Sequence, residues 1–96
     1  MLAEAFYWWA LHNKEKTLGA DHPDVALTLN NMAVMFLAQG RLDEAEQMYK
    51  RALEVFTRTL DSSHPHISTC VENYAELLRD RGREAEAEAL EAKYRN

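Results

Sequence analysis

The sequence contains an imperfect copy of itself, displaced by 42 residues. This shift places residues 20–46 on residues 62–88, and sixteen of the 54 aligned pairs over the whole chain are identical. Chance gives roughly four identities for such compositions, and an internal period of about 20–50 residues is typical of repeat proteins. Each unit of such a protein packs on its neighbours. We therefore expect one domain, residues 1–96, built from similar units.

The identical pairs fall at positions that mark the ends of helices. A His-Pro dipeptide opens the same segment of each unit, and proline is favoured at the first helical position. Asp21 and Ser63 precede these dipeptides and are the expected capping residues. Gly40 and Gly82 are expected to end the same helices, because glycine tolerates the left-handed conformation of a C-terminal cap.

These signals predict an all-α fold. Glycine and proline are sparse, and Ala, Leu, Glu, Lys and Arg are abundant between them, as in helical chains. The five expected helices cover residues 2–18, 23–39, 42–60, 65–81 and 84–95. They form a leading helix at residues 2–18, repeat one at residues 23–60 and repeat two at residues 65–95.

The small and aromatic residues resemble those of the tetratricopeptide repeat (TPR) family, in a 42-residue form similar to that of kinesin light chains. Ala33 and Ala75 match the small residue in the middle of the family's first helix, helix A. Ala45, Tyr49 and Ala52 match the small–aromatic–small series of its second helix, helix B. The leading helix repeats that series. The resemblance implies an antiparallel helical-hairpin solenoid that binds proteins and is not an enzyme.

The last predicted helix departs from this pattern. Glu91 and Tyr94 stand where the aromatic residue and the second small residue are expected. A terminal helix with no following repeat needs a polar outer face. We therefore expect this helix to be a polar cap.

The resemblance also implies a peptide-binding surface, because helix A lines the concave face of TPR proteins. Asn31 and Asn73 match asparagines of the carboxylate-binding subclass, but the lysines of that subclass are absent. Glu72 and Glu76 would repel a C-terminal carboxylate. A peptide-binding fragment is thus the alternative function. The expected surface comprises Leu27, Asn30, Asn31, Val34 and Leu37, followed by Thr69, Glu72, Asn73, Glu76 and Arg79.

Two adjacent tryptophans in the first helix, Trp8 and Trp9, lie outside its expected inward stripe. Their repeat equivalents are Lys50 and Arg51, so an apolar face replaces a charged one. Tryptophan is enriched in interface hot spots, and twofold homodimers are the commonest oligomers. We favour a homodimer over a hydrophobic cap folded onto the first two helices. The expected self-association interface is Leu2, Ala5, Phe6, Trp8, Trp9, His12, Asn13 and Lys16.

The expected inward stripe of the first helix follows a period of 3.6 residues. We expect part of it to be bare, because no helix A precedes it in the sequence. The start in mid-repeat and the apolar residues on one face also favour an engineered protein, in which a TPR surface was recast as an interface. The stripe comprises Ala3, Phe6, Tyr7, Ala10, Leu11 and Leu18.

Charge and composition argue against other partners. The chain has 11 Lys and Arg residues against 16 Asp and Glu residues, so it lacks the basic field that nucleic acid or an anionic membrane selects. No apolar run approaches the ~20 residues of a membrane span. The single cysteine, Cys70, fits a reducing compartment, and we expect a cytoplasmic protein.

No catalytic or metal-binding pattern is found. His22 and His64 recur beside proline, which favours a capping or packing role. His64 and His66 lie within one turn without an obvious third ligand, so a structural zinc site is not expected. Neither a phosphate-binding glycine loop nor a nucleophile motif is present. We therefore expect no cofactor and no enzymatic activity.

Overall fold

A computed structural model describes residues 2–95 of the 96-residue chain. The described residues form five helices and no strand. The predicted all-α fold is confirmed, and each helix boundary lies within two residues of its expected position. The helices are α1 (Leu2–Leu18), α2 (Pro23–Ala38), α3 (Leu42–Thr59), α4 (Pro65–Asp80) and α5 (Glu84–Lys93).

A histidine caps each helix that follows a His-Pro dipeptide. His22 has an extended backbone, and its Nδ1 accepts a hydrogen bond from the N–H of Asp24 at 3.1 Å. His64 is equivalent, and its Nδ1 accepts from the N–H of His66 at 3.0 Å. Each bond satisfies a donor that the first helical turn leaves without a partner. The repeated histidines therefore have the capping role that the sequence favoured.

The prediction that Asp21 and Ser63 cap these helices is wrong. Proline occupies the first helical position, so the residue just before it is the N-cap, and both side chains lie one residue too early. Asp21 instead accepts a hydrogen bond from Arg58 of α3 at 2.9 Å. It thereby joins the loop after α1 to the end of α3.

Gly40 ends α2 in the way the sequence predicts. Its φ of 73° is a left-handed conformation that other residues adopt only with strain. The N–H of Arg41 returns to the carbonyl of Phe36 at 2.9 Å, and the N–H of Gly40 to that of Leu37 at 3.0 Å. Gly82 ends α4 with the same pattern. This motif turns the chain sharply enough for antiparallel helices.

The residues that carry the TPR resemblance lie in the core. Ala33, Ala45, Ala52 and Ala75 are all completely buried, and Tyr49 is 1% exposed. Consecutive helices pack on each other from α1 to α5. Alanine lets two helices approach closely, and a larger side chain would force them apart. The small–aromatic–small series therefore sets the spacing of the helices.

Cys70 is a buried core residue, as its position inside α4 predicts. Its thiol points at the carbonyl of Tyr49 on α3, to which the Sγ donates at 3.8 Å. Burial raises the pKa of the thiol to about 12. Cys70 is therefore a packing residue that links α3 to α4.

Candidate protein-interaction surface

Positions that are buried in α3 are open in α1. Tyr49 and Ala45 of α3 lie beneath the neighbouring helices, with at most 1% of their surface exposed. Their repeat equivalents in α1 are Tyr7, which is half-buried, and Ala3, which is exposed. Leu11 is the one buried residue of α1. The expectation that part of its inward stripe is bare is confirmed.

Leu18 was expected to face inward, and this prediction is wrong. Phe6 was assigned both to the inward stripe and to the expected self-association interface, and the structure places its side chain on the surface. Phe6 is 60% exposed and Leu18 is 44% exposed. Within residues 2–95, α1 packs mainly on α2, whereas α3 packs on both α2 and α4. A helix with one principal neighbour buries a narrower stripe, so residues at the margins of the predicted stripe reach the surface.

Leu2, Phe6 and Trp9 form an exposed row along α1, which we call the apolar stripe. Their spacing of four and three residues places them on one face of the helix. Leu2 is 88% exposed and Trp9 is 63% exposed. The rings of Phe6 and Trp9 lie 6.2 Å apart between centroids. Five of the six large hydrophobic side chains exposed among the described residues belong to α1.

A groove runs beside the apolar stripe, between α1 and α2. Its volume is about 330 Å³. Ala10 lies in it at the position of Ala52, which is completely buried in α3. The groove therefore corresponds to the site where a helix A would pack on helix B. This α1–α2 groove is lined by Phe6, Tyr7, Trp9, Ala10, Asn13 and Lys14 of α1 and by Thr28 and Asn31 of α2.

Trp8 lies on a different side of α1 from Trp9, because adjacent helical residues point about 100° apart. Its Nε1 donates a hydrogen bond to the carboxylate of Glu4 at 3.4 Å, and 44% of the side chain is exposed. Glu4 and Glu15 share this side of the helix and pair with Arg41 and Arg51. Trp8 therefore stands between two ion pairs that tie α1 to the following repeat.

The remaining residues of the expected interface flank the apolar stripe. Asn13 continues the row of Leu2, Phe6 and Trp9 by one further turn, and its Nδ2 donates to the carbonyl of Trp9 at 2.8 Å. A second group of exposed residues is turned further from the α1–α2 groove. This group comprises Ala5, His12 and Lys16.

Four residues of the expected peptide surface, Val34, Leu37, Asn73 and Glu76, come together in a second groove, between α2 and α4. Val34 is 49% exposed and lies near Asn73 and Glu76. The volume of this groove is about 240 Å³. We call it the α2–α4 groove, and it is lined by Val34, Leu37, Tyr49, Asn73, Glu76, Leu77 and Asp80.

The other members of the expected peptide surface lie elsewhere. Asn31 lines the α1–α2 groove and so is separated from Asn73. Leu27 is partly buried and packs against the core. Asn30 is half-buried, and its Oδ1 has no hydrogen-bond partner within residues 2–95. The two asparagines that the family resemblance brought together thus belong to different grooves.

The α2–α4 groove is acidic. Glu76 and Asp80 lie at its edge, and neither forms an ion pair with a described residue. Arg79 is the nearest cation in sequence, but it is engaged by Glu84 and Glu91 of α5. The groove therefore offers no free cation to a C-terminal carboxylate, in agreement with the sequence expectation.

Comparison with known families agrees with this architecture. The tetratricopeptide repeat family matches the sequence twice, over residues 3–58 and over residues 24–96. The chain belongs to the tetratricopeptide repeat family. No curated protein matches it significantly. TPR repeats in general mediate contacts between proteins.

The opposite end of this TPR array is polar. Arg79 donates to Glu84 at 2.5 Å and to Glu91 at 2.5 Å, and this trio is hereafter the α5 ion-pair cluster. The polar character that we expected for the last helix is therefore present in the ion pairs that Glu84 and Glu91 of α5 form with Arg79. In repeat one the equivalent positions are apolar and pack against the core, and they are occupied by Leu37, Leu42 and Tyr49.

Other kinds of site are not found in the part of the TPR chain that the structure describes. No three His, Cys, Asp or Glu side chains there are grouped so that they could hold a metal ion. Among residues 2–95, no helix combines the length and apolar character needed to cross a membrane. The two grooves and the apolar stripe are the candidate surfaces that contain residues of the expected binding sites.

Proposed function

We propose that this TPR chain is a non-catalytic interaction scaffold that associates with itself through the apolar stripe of α1. The observation that supports it is the contrast between Trp9 and Arg51, which occupy the same repeat position. Arg51 pairs with Glu15, as a surface residue of a helical array does. Trp9 instead lies beside Phe6 with 63% of its surface exposed.

The size of the stripe suits a stable dimer. The exposed parts of Leu2, Phe6 and Trp9 amount to about 330–450 Å² when large aromatic residues span about 150–250 Å² each. A standard interface buries about 800 Å² per partner, of which roughly 56–65% is apolar. The apolar area required is therefore about 450–520 Å². One copy of the stripe supplies most of this amount, and Tyr7 and Ala10 in the adjoining α1–α2 groove add further apolar surface.

A second copy is also the simplest partner with a matching surface. A contiguous exposed apolar patch of about this size is often a functional contact surface. The other exposed large hydrophobic residue, Val34, lies in the acidic α2–α4 groove. Within the described residues, the surface that best matches an α1 stripe is thus another α1 stripe.

The test is the molar mass of the purified chain, measured by light scattering across a concentration series. We expect a dimer at micromolar concentration and a monomer for Trp9→Arg, because the new charge would enter a patch without water. Trp8→Lys is the matched control, because it introduces the residue of the equivalent repeat position, Lys50, on a different side of the helix from Trp9. We expect it to weaken the dimer less. Both variants should keep the helical circular dichroism of the original chain.

Two results would contradict the proposal. A chain that stays monomeric at high micromolar concentration would show that the stripe has no self-affinity. A dimer of unchanged affinity in Trp9→Arg would place the contact on another surface.

The alternative function is peptide binding in the α2–α4 groove, and the exposure of Val34 favours it. The peptide would need an apolar anchor, and its charge would have to suit Glu76 and Asp80. Asn73→Ala is the informative variant in a peptide-binding screen, because Asn73 lines this groove. Asn31→Ala is its matched control in the other groove. A peptide whose binding is lost only in Asn73→Ala, with the mass of the chain unchanged, would support the alternative.

A further inference from the structure

We propose that the homodimer is a closed twofold pair in which the two copies of α1 pack antiparallel. In this arrangement the Trp9 ring of each copy enters the α1–α2 groove of the other. The inference rests on the proposed function, because it needs association through α1. It adds the symmetry of the dimer, the direction of the helices and the occupant of the groove.

The ion pairs at the far end of the array disfavour stacking of one copy on the next. In such a head-to-tail contact the apolar stripe would meet the α5 ion-pair cluster, Arg79 with Glu84 and Glu91. These charges would lose their water without gaining partners from Leu2, Phe6 or Trp9. An isologous contact places the apolar stripe against its own copy and closes after two chains.

The groove has the form of a helix-packing site. Tyr7 and Ala10 lie in it, and their equivalents Tyr49 and Ala52 are buried by neighbouring helices in the complete repeat. The same positions of α1 are covered by no described helix. A second α1 laid along this side would cover these positions. Its Trp9 would then rest over Ala10, where the small side chain leaves room.

Charge and helix direction favour the antiparallel arrangement. Lys14 and Lys16 lie towards the C-terminal end of α1, and parallel helices would place them against their own copies. Antiparallel helices separate these lysines and set opposite ends of the helix dipoles side by side. When Phe6 of one copy faces Trp9 of the other, the same register brings Leu2 opposite Asn13.

Crosslinking of variants that each carry one introduced cysteine tests this register. The natural Cys70 is 1% exposed, and a buried thiol of this kind reacts slowly, so a short bismaleimide will join introduced cysteines. Leu2→Cys and Asn13→Cys chains are prepared separately and then mixed. We expect the mixture to give several-fold more crosslinked dimer than either variant alone. Glu88→Cys, on α5, is the control for a head-to-tail contact.

Each other result has a distinct meaning. A monomeric chain in light scattering defeats the proposed function, and with it this inference. A dimer in which Asn13→Cys crosslinks efficiently by itself has parallel helices, and a crosslink between Leu2→Cys and Glu88→Cys shows head-to-tail stacking. Either would overturn the arrangement and leave self-association standing. Binding of a synthetic peptide of residues 22–40 in the groove, with release of monomers, would assign the groove to a helix A instead.

Discussion

Arg41 and Glu4 form an ion pair that the chain repeats 42 residues later with Arg83 and Glu46. Nη1 of Arg41 lies 2.6 Å from Oε1 of Glu4, and Nη1 of Arg83 lies 2.6 Å from Oε1 of Glu46. In both cases the arginine follows the glycine that ends a helix A and reaches the preceding helix B. The same contact therefore joins α1 to repeat one and repeat one to repeat two.

The second of these junctions should be the stronger. Glu46 accepts hydrogen bonds from both Arg81 and Arg83 and is 14% exposed, whereas the Glu4 side chain is 25% exposed. We expect Glu46→Gln to lower the urea midpoint of unfolding about twice as much as Glu4→Gln. The first change weakens the charge-assisted hydrogen bonds of two arginines, whereas the second weakens those of one arginine. Circular dichroism measures both midpoints. A larger effect of Glu4→Gln would contradict this order.

The histidine caps predict a specific pattern of stability. His64→Ala should lower the free energy of unfolding by about 0.5–2 kcal/mol, the usual cost of losing an N-cap side chain. His64→Asn should recover most of this loss, because its side-chain oxygen can accept the same N–H. His22→Ala should behave like His64→Ala, and His12→Ala, on an exposed position of α1, should have little effect. Urea unfolding of the four variants checks the pattern.

Cys70 should be almost inert in the folded chain. Because burial raises its pKa to about 12 from an ordinary value of 9.0, its thiolate fraction at mildly alkaline pH falls about a thousandfold. We expect iodoacetamide to modify Cys70 rapidly in concentrated urea and very slowly without it. Mass spectrometry of timed samples gives both rates. Rapid modification of the native chain would show that α4 opens easily at this site.

Stability should fall as the solution becomes acidic. Hydrogen bonds from Arg41, Arg83 and Arg79 lower the pKa values of Glu4, Glu86 and Glu91 respectively below their ordinary value of 4.5. The unfolded chain therefore takes up protons first, so the stabilisation is complete above about pH 4.5 and is lost as the pH falls through the lower native values. Urea midpoints measured over this range should decline with falling pH.

Glu91→Gln provides the control for this effect. With one titrating carboxylate removed, the midpoint should be lower at neutral pH and should fall less steeply in acid. A slope identical to that of the original chain would mean that Glu91 does not contribute to the acid sensitivity.

The sequence predicts elements that depend on local chemistry. Pro23 and Gly40 bracket α2 because one fits a helix start and the other a left-handed helix end. Ala33 is buried because the repeat places it between helices. The sequence favoured a capping or packing role for His22 but named Asp21 as the capping residue. The cap lies one residue later because Pro23 occupies the first helical position.

Other features depend on the assembled array and could not be predicted. The exposure of Leu18 follows from which helices cover α1, not from its period. The α5 ion-pair cluster joins Arg79 to Glu91 across twelve residues, so no local pattern shows it. The available signals were the replacements of Leu37, Leu42 and Tyr49 of repeat one by Arg79, Glu84 and Glu91 of repeat two. The sequence likewise could not show that Asn31 and Asn73 line different grooves, because each groove is formed by the packing of helices.

The α5 ion-pair cluster should determine whether the far end of the array is adhesive. Arg79→Leu, Glu84→Leu and Glu91→Tyr together restore the residues of repeat one, where the equivalent positions pack against a following helix. The variant would expose an apolar face in place of mutually paired charges. We expect light scattering to detect species larger than the original assembly at equal concentration, because apolar surfaces would then lie at both ends. Adding Trp9→Arg to the triple variant should reduce their size by removing the contact at α1. If the triple variant keeps the original mass, the charges of this cluster are not what prevents further stacking.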